Sequence, residues 1–316
     1  MVTYIIRRLL YSVLVLIAAS FLVFTFVAKG AGDPLGPLRI TPNIDQEGLE
    51  RIAEEKHLND SVLVRYGYWV DSAITDGFGD SLLTNRPILP DLWRVMKNTL
   101  QLVIAAELIA ILLAIGIGVL SALRQYSGFD YTATTLSFLG LAMPLFWLAL
   151  MVQVLVVQVQ TWTGHKFFPI ANLNDVNPGS GFEWWIDRAH HLVLPIMVLM
   201  VASIAQYSRF MRASMLEVVN ADYVRTARAK GLRERRVTMG HAFRNALVPL
   251  VTVVALNFGA LISGAVVTET VFSLDGMGLY FINSLGTADP YPIMAWLMIT
   301  ATAIIIFNLI ADVLYG

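Results

Sequence analysis

Six apolar runs, each nearly free of charge, leave this chain few folding options. They fall at about residues 9–28, 98–122, 131–158, 191–207, 250–268 and 291–312. About 20 apolar residues in a helix cross a bilayer. In hydrocarbon every backbone N–H and C=O must be satisfied internally, so each run is read as a helix rather than as an open strand. The 316 residues are 57% hydrophobic and only 14% charged, and most of the charge lies between the runs. The reading is an all-α integral membrane protein with six transmembrane helices and a long external segment after the first. A formal net charge of −1 says nothing about partners. The absence of cysteine excludes disulfides, thiolate metal sites and cysteine nucleophiles. No GxxxxGK[ST] phosphate loop occurs, so the chain cannot itself supply a P-loop ATPase.

The first run follows Arg7-Arg8. It is too long for a typical signal-peptide core and long enough to span, so it is read as a retained helix with a cytoplasmic N-terminus. Ala28-Lys29-Gly30-Ala31 weakly resembles a cleavage site, which leaves processing as the alternative. Six spans place both termini inside. Under that topology 12 Lys and Arg lie inside and 10 outside, but eight of the outside ones belong to 29–97. Long translocated loops escape the positive-inside rule, and without this one the count becomes 12 against 2. The chain therefore divides into an N-terminal end and first helix (1–28), an extracytoplasmic segment (29–97), and a five-helix core (98–316).

Segment 29–97 carries Pro34, Pro37, Pro42, Pro87 and Pro90 and two expected short helices, 47–57 and 62–74. The second places Leu63, Tyr66 and Val70 on one stripe. A loop this long folds against the membrane domain or a partner. Within the third run, Pro144 removes a backbone hydrogen bond and is expected to kink the helix; Pro195 falls near the start of the fourth. Trp162, Trp184 and Trp185, in an external loop at 160–190, suit an interface.

Between the fourth and fifth runs lies a basic cytoplasmic loop, 209–249, whose part 216–249 holds ten charged residues, seven of them basic. Asn220 is the expected N-cap of a short helix over 221–230, with Asp222 in its first turn against the positive helix end. Arg228 and Lys230 end it, and Gly231 follows as a C′ residue able to take positive φ. Ala221, Ala227, Ala229 and Gly231 are small enough for a partner surface to approach closely. A second helix is expected over 234–244, stopping before Pro249. The bland alternative is a basic loop that only orients the chain.

Asp222-Tyr-Val-Arg-Thr-Ala-Arg-Ala-Lys-Gly-Leu232, followed by Arg244-Asn-Ala-Leu-Val-Pro249, resembles the cytoplasmic coupling loop of ABC-importer permeases, most closely the B-type subunit of the peptide/nickel permease branch. The wider family opens this loop Glu-Ala-Ala, where Arg225-Thr226-Ala227 stands here, and the interval from Gly231 to Pro249 is longer than in sugar permeases; both departures resemble the peptide branch. Gly32-Asp-Pro-Leu35, Leu58-Asn-Asp-Ser-Val-Leu63, Tyr66-Gly-Tyr-Trp69, Asp76-Gly-Phe-Gly-Asp-Ser81, Ala142-Met-Pro-Leu-Phe-Trp147, His191-Leu-Val-Leu-Pro195 and Val271-Phe-Ser-Leu-Asp-Gly-Met-Gly278 extend the resemblance over nearly the whole chain. Relatives usually carry a short polar tail after the Asp-Val-Leu-Tyr stretch, where this chain stops at Gly316.

The resemblance implies the type I ABC importer permease fold and a non-catalytic subunit that moves oligopeptides or dipeptides inward by alternating access. It implies that Ala221, Asp222, Tyr223, Arg225, Ala227, Arg228, Ala229, Lys230, Gly231 and Leu232 dock on an ATPase. The implied partners are a second homologous permease, two ATP-binding subunits that carry ATP and Mg, and an extracytoplasmic solute-binding protein or lipoprotein. The setting is the inner (plasma) membrane of a prokaryote. Nickel or glutathione import shares this architecture.

Inside the spans, Glu107 is a functional candidate because an intramembrane carboxylate is costly. With Gln153, Gln158, Asn257 and Met143 it forms the expected translocation path; interhelical hydrogen bonding is the structural alternative. A proton-coupled secondary transporter would need a relay of such groups, and Glu107 has no intramembrane Lys, Arg or His beside it. A membrane-anchored scaffold is a third reading. The five histidines show no metal-ligand spacing, so no metal site and no cofactor in this chain are expected. No catalytic arrangement stands out, and the basic loop lacks a nucleic-acid motif.

Overall fold

A computed structural model describes residues 2–30, 34–39, 45–262, 265–287 and 289–315. The described residues are helical apart from short connections and one isolated bridge between Asp80 and Pro87. In chain order the helices are α1 (Val2–Gly30), α2 (Gly36–Arg39), α3 (Gln46–Glu55), α4 (Val62–Thr75), α5 (Ile88–Leu123), α6 (Gly128–Ala142), α7 (Leu145–Thr163) and α8 (Phe182–Val219). There follow α9 (Asp222–Ala229), α10 (Glu234–Arg236), a π-helical turn (Val237–Ala242), α11 (Phe243–Ile262), α12 (Val266–Val271), α13 (Met277–Gly286) and α14 (Pro290–Tyr315). Among the described residues six stretches are long and apolar enough to cross a membrane: Ile6–Lys29, Ile88–Leu123, Leu145–Thr163, Phe182–Val219, Glu234–Leu261 and Pro290–Val313.

The expected spans correspond to these six, but several ends differ. α5 begins ten residues before the expected 98, with Pro90 tolerated in its first turn, where no intrahelical donor is lost. α8 begins at Phe182 and runs 38 residues, about 57 Å, far beyond the apolar run within it. Trp184 and Trp185 therefore lie in its first turn, and the irregular connection shrinks to 164–181. Hydropathy marks the part of a helix in lipid and does not mark where the helix stops in water.

Three expectations about proline need correction. At Pro144 the third span is broken rather than kinked: Met143 and Pro144 are both extended (ψ 122° and 130°), so α6 ends and α7 begins as separate helices. The residue before a proline is pushed out of the helical region, and here the chain complies fully. Pro195 lies well inside α8 rather than near its start. Pro249 does not stop a helix either. A continuous helical stretch, Glu234–Leu261, runs through it with the π turn upstream. Membrane helices tolerate proline because neighbours and local π geometry absorb the freed groups.

The chain forms two compact units. One comprises Met1–Thr99, Ile262–Val266 and Asp275–Ile306; the other comprises Leu100–Leu261, Val267–Leu274 and Phe307–Gly316. In the first, α4 packs on α1 through Phe24, Tyr66 and Trp69, and the hydroxyls of Ser20 and Tyr66 meet at 2.7 Å. Leu63 is 69% exposed, so it does not belong to the stripe expected on α4; Val62, Tyr66, Trp69 and Val70 form it. Asp289 is buried. It accepts hydrogen bonds from Ser81 Oγ (2.7 Å) and the Leu83 N–H (3.3 Å), tying the external segment to the N-terminal side of α14. Burial pushes its carboxyl above the ordinary range, against these hydrogen bonds. Arg94 pairs with Asp275.

In the second unit α8 is the central element. Gly118 of α5 lies against it so closely that a Cβ there would come within 2.7 Å of the Ser208 carbonyl oxygen and 2.6 Å of Met211 Cβ. Gly140 of α6 meets Ala205 and Val201 at 3.2–3.4 Å in the same sense. Tyr207, Met211 and Met215 fill the core between them, with Ala114, Ala246 and Leu250.

Candidate functional site

α9 is seated on the core of the second unit by two residues one helical turn apart. Val224 (0% exposed) and Ala227 (6%) join the cluster that contains Met211, Met215, Val237 and Ala242. Leu232, half-buried, packs on the same cluster. The opposite face is solvent-exposed: Asp222, Tyr223, Arg225, Arg228, Ala229, Lys230 and Gly231 all point outward. Two expectations change here. Asn220 does not cap α9; it ends α8 and donates from Nδ2 to the Leu216 carbonyl (2.9 Å). Ala221 occupies the N-cap, without a side-chain hydrogen bond. Ala227, offered as part of a partner-facing surface, is buried within the chain.

The C-terminal end of α9 follows the sequence closely. Lys230 is the C-cap and its N–H reaches the Thr226 carbonyl; Gly231 adopts φ +76° and its N–H reaches the Arg228 carbonyl at 2.9 Å. A Cβ at Gly231 would meet nothing within 4 Å, so the glycine is required by backbone conformation, not by crowding. Arg228 then closes the loop. Its guanidinium donates to Glu234 (2.9–3.2 Å) and to the Val219 carbonyl (3.3 Å). The Tyr223 hydroxyl accepts from Asn245 Nδ2 (2.9 Å), while Arg225 pairs with Asp222 at 3.6 Å. An eight-residue helix that is marginal in isolation is thus held at its base, its end and one flank.

Of the expected path residues, the structure brings two together. Glu107, 2% exposed, accepts hydrogen bonds from Ser203 Oγ (2.6 Å) and the Tyr207 hydroxyl (2.7 Å). Asn257 Nδ2 donates to the same Tyr207 oxygen (3.2 Å) and to Gln206 Oε1 (3.0 Å). Both Glu107 oxygens are therefore satisfied, as a buried polar network demands. Gln153 is elsewhere, donating to the carbonyls of Ile170 (2.7 Å) and Val271 (3.0 Å). Gln158 is exposed, and Met143 is half-buried beside the helix break. Sequence reasoning named Glu107 and Asn257 but not Tyr207, the residue that joins them.

It also missed Asp130 and Arg212. Arg212 Nε donates to Asp130 Oδ1 (2.6 Å) and Nη2 to Oδ2 (2.8 Å), fastening the first turn of α6 to the end of α8 that leads into α9. Below this pair, the hydroxyls of Ser137 and Ser208 meet at 3.2 Å. A third group lies at the other end of α8, where Asp175, Asp187 and His191 place one ligand atom each within 4.8 Å of one another. The i, i+4 pair 187/191 is visible in the sequence; the loop that brings Asp175 to it is not.

Among the described residues, six candidate spans, a seated helix with a polar outer face and a hydrogen-bonded intramembrane carboxylate define a multi-pass membrane protein. Residues 114–316 match the family of binding-protein-dependent transport system inner membrane components, and the chain belongs to that family. Its all-α architecture is that of a type I ABC importer permease. Over its whole length the chain is 38% identical to the oligopeptide transport system permease protein AppB of Bacillus subtilis, of which it covers 98%. It is 34% identical to the dipeptide transport system permease proteins DppB of Alkalihalophilus pseudofirmus (98% covered) and of Escherichia coli K12 (97% covered).

Proposed function

We propose that this chain is the permease subunit of an ATP-driven importer that carries dipeptides or oligopeptides into a prokaryotic cytoplasm. It sits in the inner membrane with both termini cytoplasmic, so that 209–249 faces the cytoplasm and 29–97 the outside. Its partners are a second, homologous permease, two ATP-binding subunits and an extracytoplasmic binding protein or lipoprotein. ATP and Mg are bound, and ATP is hydrolysed, on the ATP-binding subunits.

The observation that carries this reading is the seating of α9. Its inner face is anchored in the permease core through Val224 and Ala227, and its outer face offers Tyr223, Arg225 and Lys230 to a partner. Motion of an ATPase gripping that face passes to α8 and the Glu234–Leu261 helix without being absorbed in a flexible loop. Alternating access then follows from rocking of the spans. Full-length likeness to relatives named for peptide transport supports the solute.

Gentle purification of the tagged chain from native membranes, with the copurifying chains identified by mass, tests the assembly. Reconstitution of that assembly with its binding protein tests the solute. Uptake of labelled di- or oligopeptide that requires ATP is the expected result. ATP-dependent uptake of nickel or glutathione with no peptide uptake would reassign the solute. Purification without any ATPase would overturn the reading.

A further inference from the structure

We propose that Asp175, Asp187 and His191 hold a divalent transition-metal cation at the N-terminal end of α8, at the far end of that helix from α9. The three ligand atoms lie within 4.8 Å of one another. What distinguishes this trio from an ordinary surface cluster is the histidine. Its side chain is 3% exposed, and its Nδ1 lies 3.0 Å from the Asp187 backbone carbonyl. A carbonyl can only accept, so Nδ1 carries a proton, and Nε2 is the ring nitrogen whose lone pair a cation would take. Among the described residues Nε2 makes no hydrogen bond; its polar neighbour is Asp175 Oδ1 at 3.6 Å. Nε2 thus faces a carboxylate oxygen, and a divalent cation between them would bind both.

The surroundings are those of a supported ligand set. A ligating histidine ordinarily donates its other N–H to a carbonyl or carboxylate, which His191 does. Asp187 Oδ2 is held by Asn174 Nδ2 (2.8 Å) and the Asp175 N–H (3.1 Å), and Oδ1 lies 3.4 Å from His191 Nδ1. Asn174 is held in turn by Arg188 Nη1 (2.9 Å), and Arg188 by Gln101 (3.0 Å). A cavity of about 660 Å³, lined in part by Asp175, Gln160, Lys166 and His190, opens beside Asp175.

One nitrogen and two oxygens suit a borderline cation such as Zn²⁺ better than Ca²⁺ or Mg²⁺, which prefer all-oxygen shells. Zinc ligands stand about 2.0–2.2 Å from the metal, so the trio must tighten: the exposed Asp175 moves in and the Asp187 carboxylate turns from Nδ1 toward the ion at Nε2. A bound cation would clip the 164–181 connection to the first turns of α8. Because the chain has no cysteine, no thiolate competes for the metal.

The test uses the full-length chain in detergent, stripped with EDTA and titrated with Zn²⁺ and separately with Co²⁺. Metal content, the cobalt absorption bands and the dissociation constant are read. This readout does not involve transport, so it stands or falls apart from the functional proposal. One metal per chain is expected. Asp175→Asn, at an exposed position, should keep the fold and weaken binding about tenfold or more, while His165→Gln should bind as the wild type does. Binding well below one metal per chain, or an Asp175→Asn protein that binds like the wild type, would overturn the site.

Discussion

Arg212 grips Asp130 at two points, 2.6 Å and 2.8 Å, and so fixes the start of α6 to the end of α8 just ahead of the α9 helix. The carboxylate is nearly fully buried and the guanidinium about a quarter exposed. Planar two-point recognition of this kind belongs to arginine and is not reproduced by lysine. Arg212→Lys should therefore keep the charge and still cost about 1–3 kcal/mol of stability. A lower thermal midpoint in detergent, with the helix content of the folded protein unchanged, is the expected outcome.

The same pair sets an acid limit. Hydrogen bonds from Arg212 hold the Asp130 carboxyl below its ordinary value of 3.8. A depressed folded-state value means that the stabilisation is fully present above the unfolded value and is lost as pH falls through the folded one. The stability gap between wild type and Asp130→Asn should be constant from about pH 5 to 8 and shrink below about pH 4. A gap unchanged at about pH 3 would contradict the assignment.

Gly231 tests the coupling helix by conformation alone. At φ +76° with open space around the missing Cβ, a side chain is unwelcome only because of the backbone. Gly231→Val should cost about 1–2 kcal/mol locally, leave the spans folded, and uncouple ATP hydrolysis from uptake in the reconstituted assembly. Gly231→Asn, which tolerates the left-handed region, should retain most of the uptake. Normal uptake by the valine variant would remove α9 from the mechanism.

How far the sequence reached can be read around this helix. Gly231 and Asp222 mark its ends to within a residue, because left-handed caps and first-turn acids act locally. Asn220 misled for the opposite reason: α8 continues to Val219, a tertiary outcome, and takes Asn220 as its own terminus. Pro249 and Pro195 look like helix ends by local rules, yet membrane packing carries helices through both, whereas Pro144 truly breaks one. Glu107 stood out because any carboxylate in an apolar run does. Tyr207, Asp130 and Arg212 did not, because their importance lies in partners about 80–100 positions away in sequence.

Glu107 separates two modes of transport. Its oxygens accept from Ser203 and Tyr207, hydroxyls that can reverse their roles toward an amide. Glu107→Gln should keep ATP-driven uptake within about a factor of five and cost about 1.5–3 kcal/mol or less in stability. Uptake that follows a proton gradient and vanishes in this variant would point to proton coupling. Tyr207→Phe should cost more than Glu107→Gln, since it leaves Glu107 Oε2 without its donor and takes one of the two acceptors from Asn257.

The most direct test of coupling through α9 exploits the absence of native cysteine. Arg225→Cys on the exposed face of α9 provides a unique thiol in the chain. Short bifunctional cross-linking in native membranes, with the products identified by mass, should join this position to an ATP-binding subunit, and ATP should change the yield. A matching thiol at the exposed Trp162, in the last turn of α7, should not react with that subunit. If position 225 gives no ATPase product while the chain is folded and in the membrane, coupling through α9 is wrong.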